Sequence, residues 1–124
     1  MKEIPKFYNS LEETKKEIFS LLFQGVKKRK SSFHNTVLNT LSVTNKPDAR
    51  TVVLRDFDTE KLTINIHSDL RSTKIIEIEK NNNISLLFYD HQKKIQLRVE
   101  GNAKIEKSNK NSWKKLSNWS RRCY

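Results

Sequence analysis

The chain holds very few of the residues on which several common classes of protein depend. Among its 124 residues are one cysteine, Cys123, two glycines and two prolines. A single cysteine permits neither an internal disulfide framework nor a CxxC site for metal or redox chemistry. Gly25 and Gly101 cannot supply a Walker loop or a G-x-G-x-x-G loop. Disulfide-stabilised scaffolds and proteins with these glycine-rich phosphate loops are thereby excluded.

Long hydrophobic stretches are also missing. No apolar run approaches the roughly 18 residues that span a bilayer. The first residues, MKEIPKFYNS, contain no apolar signal segment. A length of 124 residues suits one modest hydrophobic core. We therefore expect a single cytoplasmic domain over residues 1–124, without membrane association.

Motifs for metal binding and for hydrolysis are absent as well. His34, His67 and His91 show no H-x-x-H or H-E-x-x-H spacing, and no cysteine pair supports them. No G-x-S-x-G motif marks a nucleophilic serine. The sequence therefore predicts no metal site, and it identifies no catalytic residue.

Positive charge, in contrast, is in excess. Lysine and arginine number 25 against 14 aspartate and glutamate residues, which gives a net charge of +11. Such a charge attracts nucleic acid, anionic membranes or phosphorylated small molecules without choosing among them. Codon usage in an AT-rich genome also explains the many lysines beside asparagines, as in KSNKNSWKK. Both explanations stay open.

Three segments are predicted to be helical. Ser10 and Glu13 form a capping box before apolar residues that recur at helical spacing. The basic KKRK run that follows suits a helix C-terminus, or alternatively a nucleic-acid patch or a targeting signal. Ile75, Ile76 and Ile78 are expected to turn inward from the second helix, and Trp113 and Leu116 share one face of the third. The helices are predicted at residues 11–26, 72–81 and 109–118.

Five segments rich in β-branched residues predict strands, separated by the turn sequences NKPD, DTEK and HQKK. The first strands follow each other closely enough for an antiparallel meander. Closure of such a sheet removes exposed edges, which favours a barrel over about residues 33–106. The predicted class is mainly β (α+β). The strands are predicted at residues 36–44, 49–57, 62–67, 83–90 and 95–106.

The segment HSDLRSTK, residues 67–74, runs from a strand end into a helix start. Its hydroxyl groups, cations and first-turn N–H groups together make an anion site, although the same residues also serve as plain caps. The RTVVLR segment, residues 50–55, is expected to pair antiparallel with LTINIH. That pairing would bring Arg50 to His67 and Ser68, so that separate segments converge on one anion.

These residues resemble a known family. RTVVLRDFD, LTINIHSDLRSTK, NNISLLFYD and IQLRVEGNAKI are similar, in order, to the pyridoxamine 5′-phosphate oxidase-like flavoproteins. The resemblance covers about residues 33–106. It implies an antiparallel split β-barrel with flanking helices that forms a homodimer, with FMN at the subunit interface. Relatives continue through further strands, so the barrel is expected to be shortened at its C-terminal end.

The resemblance also implies the cofactor-binding residues. Arg50, Ser68 and Lys74 would hold the phosphate, while Arg55 and Gln96 would lie near the flavin ring. Arg71 would substitute for the arginine that the family has at the position of Thr73. An odd separation puts Arg50 and Arg55 on opposite faces of a regular strand, so a bulge, a strong twist or a second subunit is needed. The full predicted set is Arg50, Thr51, Val52, Val53, Leu54, Arg55, His67, Ser68, Arg71, Ser72, Thr73, Lys74 and Gln96.

The function that the resemblance implies is that of an FMN-dependent oxidoreductase, with hydride transfer from a small substrate to the flavin. The motifs that select vitamin B6 in the true oxidase have no counterpart in SWKKLSNWSRRCY, so the substrate is not identified. One alternative is a flavin-binding protein that stores or senses flavin without turnover. A less favoured alternative is a small basic barrel that binds nucleic acid, which would need surface aromatics for base stacking.

Overall fold

A computed structural model describes residues 11–69 and 71–106. In this part of the chain two helices and six strands follow each other, one strand more than predicted, since four strands rather than three precede the second helix. The predicted helix at residues 109–118, with Trp113 and Leu116, lies outside the described residues. The mainly β (α+β) class is confirmed for the described part of the chain. The elements are α1 Leu11–Lys27, β1 Asn35–Leu41, β2 Pro47–Val53, β3 Asp56–Asp58, β4 Thr63–Asn65, α2 Thr73–Lys80, β5 Asn83–Asp90 and β6 Ile95–Asn102.

The larger sheet has the strand order β2-β1-β5-β6, and every neighbouring pair is antiparallel. In it Leu38 of β1 lies between Arg50 of β2 and Leu86 of β5. Strands β3 and β4 form a separate two-stranded sheet. Among the described strands, β2 and β6 are therefore the two edge strands of the larger sheet.

The segment predicted as one strand over residues 49–57 is two strands, because the chain changes partner in its middle. The backbone N–H of Leu54 donates to His34 O at 2.8 Å, next to β1, whereas that of Arg55 donates to Asn65 O at 2.9 Å, in β4. The prediction that RTVVLR pairs with LTINIH is thus wrong for β2, which pairs with β1. A bend that transfers a strand between two sheets is a common way to turn a corner in a small β structure.

The first turn also differs slightly from the prediction. It closes between Ser42 and Lys46, whose backbone groups are joined by a 2.8 Å hydrogen bond. Asn45 adopts the left-handed conformation there, with φ 62°. Pro47 belongs to β2 rather than to the turn. A proline fits at the start of an edge strand because it need not donate to a neighbour.

The hydrophobic core lies between α1, the larger sheet and β3. Phe33 and Phe88 are 0% and 1% exposed and stack with their ring centroids 4.9 Å apart. From α2, Ile75 and Ile78 are buried, but Ile76 is 56% exposed, so the prediction for Ile76 is wrong. Only residues three or four apart share a helical face, and Ile76 points the other way. Within the described residues, the other buried apolar side chains are Leu21, Leu22, Leu38, Val52, Leu54, Phe57 and Leu86.

Candidate functional site

The turn between β4 and α2 gathers two hydroxyl groups and a buried cation. Ser72 precedes α2 with an extended backbone and makes no side-chain capping bond to the helix. Its Oγ instead lies 2.9 Å from Ser68 Oγ. Lys74, in the first turn of α2, is 7% exposed. The first turn of a helix carries partial positive charge, so this group has the composition of an anion site. Ser68, Ser72 and Lys74 are called the turn site below.

One acidic residue also lies in this turn. Arg71 donates to both carboxylate oxygens of Asp69, from Nε at 3.2 Å and from a terminal nitrogen at 2.9 Å. Hydrogen bonds from Arg71, and to a lesser degree the charge of Lys74, lower the pKa of Asp69 to about 2. The Arg71 side chain is 91% exposed. Its charge is therefore partly offset by Asp69, and it lies at the rim of the turn rather than inside it.

Arg50, predicted to meet this turn, lies instead against the side of α2. One terminal nitrogen of its guanidinium donates to Leu38 O at 3.2 Å and to Thr40 Oγ1 at 2.8 Å. The other lies 2.9 Å from a carboxylate oxygen of Glu77 and 3.0 Å from one of Asp48. The Thr40 hydroxyl donates to the same Glu77 oxygen at 2.6 Å. These contacts are called the Arg50 cluster: Arg50, Thr40, Asp48 and Glu77.

Arg55, at the other end of RTVVLR, is the arginine next to His67. His67 is 8% exposed. Burial, and then the positive charge of Arg55, lower the pKa of its imidazole to about 4. His67 is therefore neutral at physiological pH. The change of strand partner between Leu54 and Arg55 produces this arrangement, because β3 and β4 share one hairpin.

The other predicted residues have more varied surroundings. Val52 and Leu54 are core residues, Val53 is half-buried, and Thr51 and Thr73 are exposed. Gln96 is exposed on the edge strand β6, opposite Tyr89 of β5. Strand β6 is separated from β2 by two strands. The structure thus brings together the turn site, and separately Arg55 with His67, whereas Arg50 and Gln96 lie in different parts of the sheet.

Sequence reasoning missed Glu77, Thr40 and Asp48. Glu77 is 3% exposed, and its carboxylate accepts a hydrogen bond from the Arg50 guanidinium. One signal was available, since an arginine within a strand cannot be buried without an acceptor. Which carboxylate supplies that acceptor depends on how α2 packs against the larger sheet, and a single sequence does not give this.

The buried imidazole predicts a loss of stability in mild acid. The folded pKa of His67, about 4, is below its ordinary value of 6.5, so the unfolded chain binds more protons between these values. The contribution of His67 is thus complete above about pH 6.5, decreases toward pH 4 and then levels off. Through this one group the free energy of unfolding changes by at most about 1.4 kcal/mol per pH unit. Urea denaturation at pH 7 and pH 5 measures it.

The matched variants for this measurement are His67→Gln and His91→Gln. His91 is an exposed histidine, and its replacement controls for the loss of a histidine as such. Replacement of His67 should flatten the pH dependence. Identical pH profiles for the wild type and His67→Gln would contradict the prediction.

Two further findings concern the described part of the chain. Within residues 11–69 and 71–106, no three His, Cys, Asp or Glu side chains are placed to hold a metal ion. Neither α1 nor α2 is long and apolar enough to cross a membrane.

Comparison with known proteins gives matches at the levels of family and fold. The sequence model of the FMN-binding domain of pyridoxamine 5′-phosphate oxidase matches residues 15–107. No curated protein sequence matches the chain.

Among solved structures, the chain is similar to a pyridoxamine 5′-phosphate oxidase-related, FMN-binding protein of Nostoc punctiforme. The TM-score is 0.61 and the identity 22%, over 70% of this chain and 44% of that protein. It is also similar to HupZ of Group A Streptococcus, with a TM-score of 0.63 and 18% identity over 86% and 76% of the two chains. A third similar structure is General Stress Protein 26 of Bacillus anthracis. The TM-score is 0.57 and the identity 23%, over 80% of this chain and 76% of that protein. The chain thus spans less than half of the Nostoc protein, and these identities establish the fold alone.

Proposed function

Because the chain belongs to the FMN-binding domain family of pyridoxamine 5′-phosphate oxidase, whose cofactor is FMN, we propose that it is an FMN-dependent oxidoreductase acting on a small molecule. The turn site is the observation that carries this proposal. It places two neighbouring hydroxyls and a buried lysine at a helix N-terminus, a composition that suits the phosphate of FMN.

The residues of the turn site fit a phosphate group. The Ser72 hydroxyl makes no capping bond to its own helix and lies beside that of Ser68, which donates to Asp69 O at 3.1 Å. An anion bound here would accept from these hydroxyls in exchange for their present contacts. Lys74 supplies an amino group at low exposure, where interactions with a charged group are weakly screened. Arg71 lies at the rim, and its bond to Asp69 leaves it able to exchange one anionic partner for another. We assign the phosphate to Ser68, Ser72, Lys74 and Arg71, with Thr73 beside them.

We propose that the flavin ring lies toward Arg55 and His67. A cation near the ring stabilises negative charge on the reduced flavin, and Arg55 is such a cation. His67 stays neutral there, so it adds hydrogen-bonding capacity without a second charge. The backbone of residues 51–54 leads from β2 to Arg55, and we propose that it lines the ring side of the site.

Gln96 requires a second subunit in this proposal. It lies exposed on the edge strand β6, apart from the hairpin of Arg55 and His67. An edge strand is a natural surface for association of two copies. We propose a homodimer in which Gln96 of one subunit reaches the ring held by the other.

Bound FMN supplies the redox chemistry, which is hydride acceptance from a substrate. The chain then positions both molecules and sets the charge around them. A flavin-binding protein without turnover is the alternative. Cytoplasmic location and a single domain over residues 1–124 stay predictions.

Titration with FMN tests the proposal directly. We expect flavin fluorescence to change on binding, and the Lys74→Ala variant to bind FMN about tenfold or more weakly, since a charge-assisted contact to phosphate is lost. Riboflavin, which lacks the phosphate, should bind wild type and variant with similar affinity.

Lys80→Ala is the matched control, because Lys80 is an exposed lysine at the other end of α2. It should leave FMN affinity unchanged. A wild-type protein that binds no FMN would disprove the proposal, and equal FMN affinity of Lys74→Ala would disprove the phosphate assignment alone. Oxidation of NADH or of pyridoxamine 5′-phosphate by the loaded protein would separate an oxidoreductase from a flavin carrier.

A further inference from the structure

Arg50 begins the RTVVLR segment, where the family resemblance places a phosphate ligand. We propose that Arg50 is instead a positioning residue: it holds α2 in place through Glu77, and α2 in turn presents Ser72 and Lys74 to the cofactor phosphate. This inference rests on the proposed FMN site.

The hydrogen-bonding capacity of Arg50 is largely used within the chain. A guanidinium has five N–H donors, four of them on its two terminal nitrogens. One terminal nitrogen contacts Leu38 O and Thr40 Oγ1, and the other contacts Glu77 and Asp48. Each terminal nitrogen thus faces two acceptors. A phosphate contact from these nitrogens would require at least one of these bonds to break.

Glu77 makes such a rearrangement costly. Its side chain is 3% exposed, and its Oε1 atom receives both the Arg50 guanidinium and the Thr40 hydroxyl. A buried carboxylate that loses its cation is strongly destabilising, because solvent does not replace the lost partner. Arg50 is therefore better explained as the counter-charge of Glu77 than as a ligand for an external anion.

The Arg50 cluster also determines the orientation of the turn site. Glu77 and Lys74 are three residues apart in α2, so they lie on the same face of the helix. Both are buried, at 3% and 7% exposure. Arg50 and Thr40 belong to β2 and β1. The cluster therefore fixes the rotation of α2 about its own axis relative to the sheet, and with it the direction of Lys74.

Glu77→Gln distinguishes the two roles of Arg50. The variant keeps the shape and the bond to Thr40 but removes the charge that Arg50 neutralises. If Arg50 positions α2, Glu77→Gln and Arg50→Gln should each weaken FMN binding by about tenfold, although Glu77 touches no phosphate. The double variant should bind no more weakly than the single ones, because both remove the same interaction. Glu79→Gln, which changes an exposed carboxylate of the same helix, should have no effect.

A direct phosphate ligand predicts the opposite pattern. Glu77→Gln would then release Arg50 and leave FMN affinity unchanged or higher, whereas Arg50→Gln would abolish the preference for FMN over riboflavin; that result overturns the inference. If either variant fails to fold, Thr40→Val decides, since it removes the hydroxyl that accepts from Arg50 and donates to Glu77 and so weakens the cluster without removing a charge. Weaker FMN binding by Thr40→Val supports the inference, and unchanged binding overturns it. A wild-type protein that binds no flavin overturns the proposed function and the inference together, whereas FMN binding that is insensitive to Glu77→Gln overturns the inference alone.

Discussion

Replacement of Gly25 by alanine should destabilise the protein by about 1–3 kcal/mol, the usual range for overpacking a filled site. Within a helix the same replacement ordinarily stabilises by about 1 kcal/mol, so the sign is reversed here. A Cβ atom on Gly25 would lie 2.5 Å from Phe33 O, 2.7 Å from Phe33 C and 2.9 Å from Phe33 Cβ. Two of these atoms belong to the backbone and cannot turn aside. Helix α1 would have to move away from the loop that carries Phe33.

Urea denaturation of Gly25→Ala and Lys16→Ala would measure this effect. Lys16 is an exposed residue in the same helix, and its replacement should change the free energy of unfolding by less than about 0.5 kcal/mol. The Gly25 carbonyl also lies 2.7 Å from His34 Nδ1, so movement of α1 should weaken this contact as well. An increase in stability for Gly25→Ala would show that α1 does not pack this closely on residue 33.

Replacement of Phe88 by alanine should cost still more, about 3–5 kcal/mol. Phe88 is 1% exposed and lies in β5, with its ring centroid 4.9 Å from that of Phe33. Loss of the ring leaves a cavity between β5 and the loop before β1, and both are held by hydrogen bonds that limit their collapse. A domain of this size is stable by only about 5–15 kcal/mol. The variant should therefore unfold at a much lower urea concentration.

Tyr89→Ala is the matched control for Phe88→Ala. Tyr89 is the next residue of β5, points to the other face of the sheet and is 50% exposed. Its replacement should cost less than about 1 kcal/mol, within the range of exposed positions. Equal losses of unfolding free energy for Phe88→Ala and Tyr89→Ala would contradict the prediction that one face of β5 is buried and the other exposed.

The sequence is informative where structure depends on neighbouring residues. Apolar periodicity indicates α1, and the turn sequences DTEK and HQKK separate strands that do pair with each other. Ser68, Ser72 and Lys74 are also close along the chain, so their grouping at the start of α2 follows from local spacing alone. These are the parts of the fold and of the candidate site that could be predicted.

Interactions between distant residues were not predictable in the same way. The change of partner between Leu54 and Arg55 depends on how the hairpin of β3 and β4 packs against α1, through Phe57 and the rings of Phe19 and Phe23. It decides that Arg55, rather than Arg50, is next to His67. The partner of Arg50 is Glu77, which is 27 residues away along the chain. Apolar periodicity would predict an apolar residue rather than a glutamate at a buried position of α2. Glu77 is nevertheless buried, and the neighbouring Ile76 is 56% exposed.

The change of partner at Leu54 has a mechanical consequence. Two consecutive backbone N–H groups donate to different sheets, Leu54 to His34 O and Arg55 to Asn65 O. No flexible residue separates these anchors, so the hairpin cannot slide or rotate on the larger sheet without breaking one of them. Leu54 is also 0% exposed, which leaves no room for an inserted residue. The hairpin that precedes His67 and the sheet that carries Arg50 are therefore anchored to each other at two consecutive residues, and a change in their relative orientation would cost at least one of these hydrogen bonds.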